Sequence, residues 1–131
     1  MADSPEFFLD ESMLARALYD LLTQRGHTVH RSGIEVPRGA SDRDWLQALG
    51  SRPWIVLMRD QRIRFNRLER ESLGASRLGA FVFTGGQVTG EETARAIGNL
   101  LPEILRIDVR EPRPYLYTIT RGGSVSPANW Q

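Results

Sequence analysis

Short apolar runs without polar alternation punctuate this chain, and helical periodicity fills most of the spaces between them. Phe7–Leu9 (FFL), Trp54–Met58 (WIVLM) and Ala80–Phe83 (AFVF) are the clearest runs. A strand with no polar residue at every second place needs cover on both faces, as in a parallel sheet. Strands alternating with helices give that arrangement. The chain therefore reads as an α/β fold with a mostly parallel central sheet and helices on both faces. Right-handed crossovers follow by default.

The intervening segments supply the helices. Met13, Leu14, Leu18, Leu21 and Leu22 recur at helical spacing, with Ser12 as a plausible N-cap and Gly26 as the stop. HTVH, from His27 to His30, reads as a second strand, and residues 32–40 read as a loop. Ser41 looks like the cap of a helix carrying Trp45, Leu46 and Leu49, ended by Gly50. A third helix is expected over about Leu68 to Arg77. Thr89 and Glu92 form a capping box for a last long helix, with Ala94, Ile97, Leu101 and Ile104 inward and a kink at Pro102. Tyr115, Tyr117 and Ile119, followed by Arg121-Gly122-Gly123-Ser124, predict a hairpin or an added edge strand over 112–131.

At 131 residues the chain is expected to be one domain, 1–131, large enough for its own core. With no cysteine it has neither a disulfide framework nor a thiolate metal site. The opening residues lack a signal-peptide succession, and no apolar run reaches membrane-spanning length, so a cytoplasmic protein with no membrane partner is expected.

Net charge is only +1, but it is unevenly spread. Residues 1–20 hold Asp3, Glu6, Asp10, Glu11 and Asp20 against Arg16 alone. Residues 59–70 hold Arg59, Arg62, Arg64, Arg67 and Arg70 against Asp60 and Glu69. All 17 basic residues are arginine, which a GC-rich genome would explain. Guanidinium groups also suit bidentate phosphate contact.

Acids close two of the apolar runs: Asp10 and Glu11 directly after FFL, and Asp60 after IVLM and Arg59. Asp42 and Asp44 fall at a predicted helix start. In a parallel sheet, strand C-termini and helix N-termini gather on one edge, where such folds bind ligands. Acids collected there repel one another unless a divalent cation lies between them. Each acid also has an ordinary reading. Asp10 could cap the next helix, Asp60 could form a turn, and the helix dipole favours Asp42 and Asp44 without any metal. Glu69 and Glu71 could pair with Arg67 or Arg70. His27 and His30 should face opposite sides of a strand, which argues against a shared metal site. Gly85-Gly86 lacks the lysine and hydroxyl of a phosphate loop.

FFLDES, LLTQRGHTVH, RGASDRDWLQAL, WIVLMRDQRI, FNRLERESL and VFTGGQVTGEE, in this order, resemble the successive motifs of the bacterial PIN-like domain family, in its compact VapC-toxin-like group. The resemblance covers nearly the whole chain. It departs at Met58, where the family usually shows Thr or Ser, and in a short loop before Ser41. It implies a three-layer PIN-like fold and a metal-dependent endoribonuclease, the toxin of a toxin–antitoxin pair. Asp10, Asp42 and Asp60 would be the catalytic acids and the ligands of Mg²⁺ or Mn²⁺, with Glu11, Asp44 and Glu69 as supplements.

Arg59, Arg62, Arg64 and Arg67 are then expected to bind RNA, with tRNA and mRNA as candidates. The partners would be a cognate antitoxin protein and a second copy of the chain in a homodimer. The alternative is a non-catalytic PIN-like interaction module that binds a protein partner or homodimerises, with Tyr115, Tyr117 and Trp130 as interface candidates.

Overall fold

The computed structural model describes residues 5–13, 15–31, 33, 49, 52–59, 67–86 and 88–128. Among these, β1 (Phe7–Leu9), β2 (Val29–Arg31), β3 (Ile55–Met58), β4 (Gly79–Phe83), β5 (Tyr115–Ile119) and β6 (Val125–Pro127) form one sheet in the order β2-β1-β3-β4-β5-β6. The first five strands are parallel, and β6 returns antiparallel to β5. The helices are α1 (Arg16–Gln24), α2 (Arg67–Ser76) and α3 (Gly90–Arg110). The predicted loop over 32–40 and the helix start at Ser41 lie outside the described residues, apart from Gly33; Leu49, further along, is helical.

The unbroken apolarity of the strands matches what covers them. Phe7, Leu9, Ile55, Leu57, Phe81, Phe83, Tyr115, Tyr117 and Ile119 point to one face, under Leu18 and Leu22 of α1 and Ile97, Leu101, Ile104 and Ile107 of α3. Phe8, Val56, Met58, Ala80, Val82 and Leu116 point to the other, with Leu73 of α2 and Leu49. Neighbours in sequence thus enter different cores, which is why β1, β3 and β4 carry no polar residue on either face. The result is a three-layer α/β fold.

Local chemistry fixes the helix ends. Thr89 Oγ1 accepts the Glu92 backbone N–H at 3.0 Å, and the Glu92 carboxylate accepts the Thr89 N–H at 3.4 Å. This is the expected capping box. The helix runs on through exposed Pro102 to Arg110, although proline removes the donor that the Gly98 carbonyl would use. Gly123, with φ near 92°, makes the turn into β6. The expectation for Ser12 needs correction. Glu11–Met13 form a 3-10 turn, and α1 begins only at Arg16 with Ala15 as a cap that makes no side-chain bond.

The sheet order reverses direction between β1 and β3: the chain leaves β1 for β2 on one side, then crosses to β3 on the other. In open α/β sheets the crevice outside the strand C-termini at such a reversal is where ligands bind.

Candidate active site

Asp10 and Arg59 follow the two strands that flank this reversal. β1 and β3 pair with Leu9 beside Leu57, and the Asp10 N–H continues the ladder by donating to the Leu57 carbonyl at 3.1 Å. The backbone of Asp10 is therefore held by its neighbour strand, and the residue is only 8% exposed. A carboxylate this buried is costly unless it is hydrogen-bonded or paired. Ser12 supplies one bond: its hydroxyl donates to Asp10 Oδ2 at 2.7 Å. The Ser12 hydroxyl oxygen in turn accepts the Arg59 backbone N–H at 3.2 Å. One hydroxyl thus links the exits of β1 and β3.

The Arg59 side chain turns along the strand ends. Its terminal nitrogens donate to the Gly86 carbonyl at 3.2 Å and to Thr93 Oγ1 at 2.8 Å. The guanidinium carbon lies 5.3 Å from the Phe83 ring centroid, within cation–π range. Arg59 Nε is buried with no hydrogen-bond partner among the described residues. The residue expected to face RNA therefore has both terminal nitrogens engaged within the protein, tying β3 to the first turn of α3.

The other expected site residues are less fully placed. Glu11 lies in the 3-10 turn, and Arg67 and Glu69 lie in α2, but their side chains fall outside what is described. Asp42, Asp44, Asp60, Arg62 and Arg64 lie outside the described residues altogether. Among the described residues there is no group of three or more histidines and acids that could hold a metal ion. Asp10, the one acid of the expected set with a described side chain, fits such a role by chemistry. It offers hard carboxylate oxygen, the donor Mg²⁺ and Mn²⁺ prefer, on a fixed backbone.

The histidines behave as structural residues on opposite faces. His27 Nδ1 is 2.9 Å from the Pro5 carbonyl, which can only accept, so this nitrogen carries the proton. Its ring meets Phe7 edge-on. His30 Nε2 donates to Glu6 at 2.8 Å, and its ring stacks on Trp54 with centroids 3.6 Å apart. The resolved titration shifts also lie away from the strand exits. Burial, then the Asp108 charge, pushes the Tyr115 phenol well above its ordinary range at the opposite edge of the sheet. Burial, then the Glu111 hydrogen bond, raises Tyr117.

Sequence reasoning missed Ser12 as a partner of Asp10. The local signal for it is the D-x-S order directly after an apolar strand, a pattern that equally suits a helix cap.

A family model described as "PIN like domain" matches residues 5–85, the span from just before β1 to just after β4. The chain is also similar to a protein of Mycobacterium tuberculosis (strain ATCC 25618 / H37Rv) named "Putative ribonuclease VapC45". The two are 26% identical over 123 residues, covering 91% of this chain and 88% of that protein. No solved structure matches the chain significantly. Among the described residues, no helix is long and apolar enough to cross a membrane.

Proposed function

We propose that this chain, which belongs to the PIN-like domain family, is a metal-dependent endoribonuclease that serves as the toxin of a toxin–antitoxin pair. The observation that carries this reading is the place of Asp10. It is a nearly buried carboxylate at the end of β1, at the sheet reversal, held by β3 behind it and by the Ser12 hydroxyl at its side. The ribonuclease name of the similar mycobacterial protein supports the choice of RNA as substrate.

In this reading Asp10, Asp42 and Asp60 hold Mg²⁺ or Mn²⁺, with Glu11, Asp44 and Glu69 as supplementary acids. When bound, such an ion supplies a water of lowered pKa and offsets charge on the phosphate. Asp10 contributes a donor whose orientation is set before any ligand arrives. Arg62, Arg64 and Arg67 contact the RNA backbone as phosphate-matching guanidinium groups. Arg59 serves the strand exits rather than the RNA, since its terminal nitrogens already have acceptors. A cognate antitoxin would neutralise the protein, and a second copy of the chain could complete a homodimer.

The test is cleavage of end-labelled RNA by the purified protein with and without Mn²⁺, beside Asp10→Asn and Asp60→Asn. Mn²⁺-dependent cleavage lost in both variants is the expected result. No cleavage of pooled tRNA and mRNA under any metal condition, by protein that is folded and free of antitoxin, would overturn the nuclease reading. The interaction module would then stand in its place.

A further inference from the structure

We infer that Ser12 is a positioning residue for the acidic site, setting the orientation of the Asp10 carboxylate through a hydroxyl that also fixes the start of the chain leaving β3. This deepens the proposed nuclease reading and rests on it.

A serine hydroxyl has one proton to give and lone pairs to receive. The Arg59 backbone N–H can only donate, so at 3.2 Å it must take a lone pair of Ser12 Oγ. The single hydroxyl proton is then directed to Asp10 Oδ2, 2.7 Å away. That distance falls in the short range of bonds to ionised oxygen. The bond network therefore fixes which way the hydroxyl points and which carboxylate oxygen it engages.

The turn geometry makes this reach possible. Glu11–Met13 form a 3-10 turn closed by the Met13 N–H donating to the Asp10 carbonyl at 2.8 Å. The turn brings the side chain two positions after Asp10 back over the carboxylate. An α-helix beginning at Ser12 would have aimed that hydroxyl at its own first-turn N–H groups instead. The delayed start of α1, at Arg16 with an uncapped N-terminus, is consistent with Ser12 being used elsewhere.

A reason for such a device follows from electrostatics. Carboxylates gathered at one sheet edge repel one another, and a strand-end aspartate can turn its side chain away to relieve that. A site that binds a hard cation works best when its donors are locked by neighbours rather than by the ion. Hydrogen-bond partners of metal ligands are commonly worth 10- to 100-fold in metal affinity. Ser12 is itself exposed, so its hydroxyl is not needed to fill the core.

The experiment is Mn²⁺ titration of the purified full chain followed by electron paramagnetic resonance, with urea midpoints measured on the same samples. Ser12→Ala is expected to weaken Mn²⁺ binding by about ten-fold or more. Ser12→Thr, which keeps the hydroxyl, should bind within about two-fold of the native chain. Ser12→Cys, with a weak donor of similar shape, should fall between, and it decides the matter if the alanine variant fails to fold. Thr89→Ala controls for stability: it removes the α3 cap and should lower the urea midpoint while leaving Mn²⁺ affinity unchanged.

Native affinity in Ser12→Ala, or in Ser12→Cys should alanine not fold, overturns the positioning role. If Asp10→Asn abolishes binding in that same series, the metal reading survives without Ser12. If the native chain binds no Mn²⁺, or Asp10→Asn binds as well as native, the metal role of Asp10 falls and the role of Ser12 falls with it.

Discussion

The Tyr115 hydroxyl donates to Asp108 Oδ1 across 2.8 Å, joining the first residue of β5 to the last turns of α3. Arg113 donates to the same oxygen at 2.7 Å and reaches the Trp54 carbonyl at 2.8 Å, just before β3. A helix, the following turn and two strands thus meet at one carboxylate. This knot lies at the edge of the sheet opposite Asp10, where it can stabilise the fold without entering the proposed chemistry.

Alkaline pH should expose the Tyr115 contribution. Its phenol is raised well above the ordinary value of 10.0, chiefly by burial and then by the Asp108 charge. An unfolded tyrosine ionises near pH 10, whereas the folded one keeps its proton. The stabilisation is therefore complete below about pH 10 and falls as pH rises further, by up to about 1.4 kcal/mol per pH unit. Tyr115→Phe should cost about 1.5 kcal/mol at pH 7, where a hydrogen bond to a charged group is lost. Above pH 10 its stability should decline less steeply than that of the native chain. Urea denaturation across pH 7 to 11.5 checks both effects, and parallel slopes for the two proteins would contradict the assignment.

Gly79 depends on the same ring. A β-carbon built there would lie 2.3 Å from Tyr115 Cζ and 2.5 Å from its hydroxyl oxygen. The ring is buried and its far end is bound to Asp108, so it cannot swing aside freely. Gly79→Ala should destabilise by about 1–3 kcal/mol, as overpacking in cores does. In a Tyr115→Ala background the same change should cost much less. A double-mutant cycle in urea reads that coupling directly, and additive effects would show that the clash is absorbed elsewhere.

What could be read from the sequence follows the reach of each interaction. The parallel sheet was legible because FFL, IVLM and AFVF have no polar alternation, and both faces of those strands are indeed covered. The Thr89–Glu92 box and the Gly123 turn were legible because their partners lie within a few residues. Ser12 misled because its spacing to Met13 and Leu18 imitates a helix start. Its hydroxyl instead finds a carboxylate two residues back, and a charge-assisted bond competes well with a cap. The charge of Arg59 was legible, but its acceptors at Gly86 and Thr93 were not, because they lie 27 and 34 residues further on. Of the candidate site, the acid at the end of β1 was legible from local pattern. Asp42 and Asp60 fall outside the described residues, so their meeting with Asp10 rests on resemblance.

Arg59 should behave as a brace. Its guanidinium fork spans acceptors on two different segments, a geometry that a single ammonium cannot reproduce. Arg59→Ala should cost about 2 kcal/mol, on the scale of hydrogen bonds from a charged group. Arg59→Lys should recover less than half of that. Urea midpoints check the order. An alanine variant as stable as native but weaker in RNA binding would move Arg59 to the RNA surface.

Arg64 should behave in the opposite way, as a phosphate contact whose loss the fold does not feel. RNA affinity measured from 50 to 300 mM salt should give a straight line of log affinity against log salt, because each neutralised phosphate releases counterions. Arg64→Ala should lower the magnitude of that slope by about 0.7 for single-stranded RNA and weaken binding most at low salt. Its urea midpoint should stay near native, because in the proposed role its charge serves the RNA and a surface charge adds little to stability. Arg59→Ala, measured alongside, should leave the slope unchanged while lowering the midpoint. If the two variants exchange these signatures, the roles assigned to the two arginines must be exchanged as well. If neither changes the slope, the arginine-rich segment is not the RNA-binding surface, and phosphate contacts must be sought on the exposed arginines of α3, Arg95, Arg106 and Arg110.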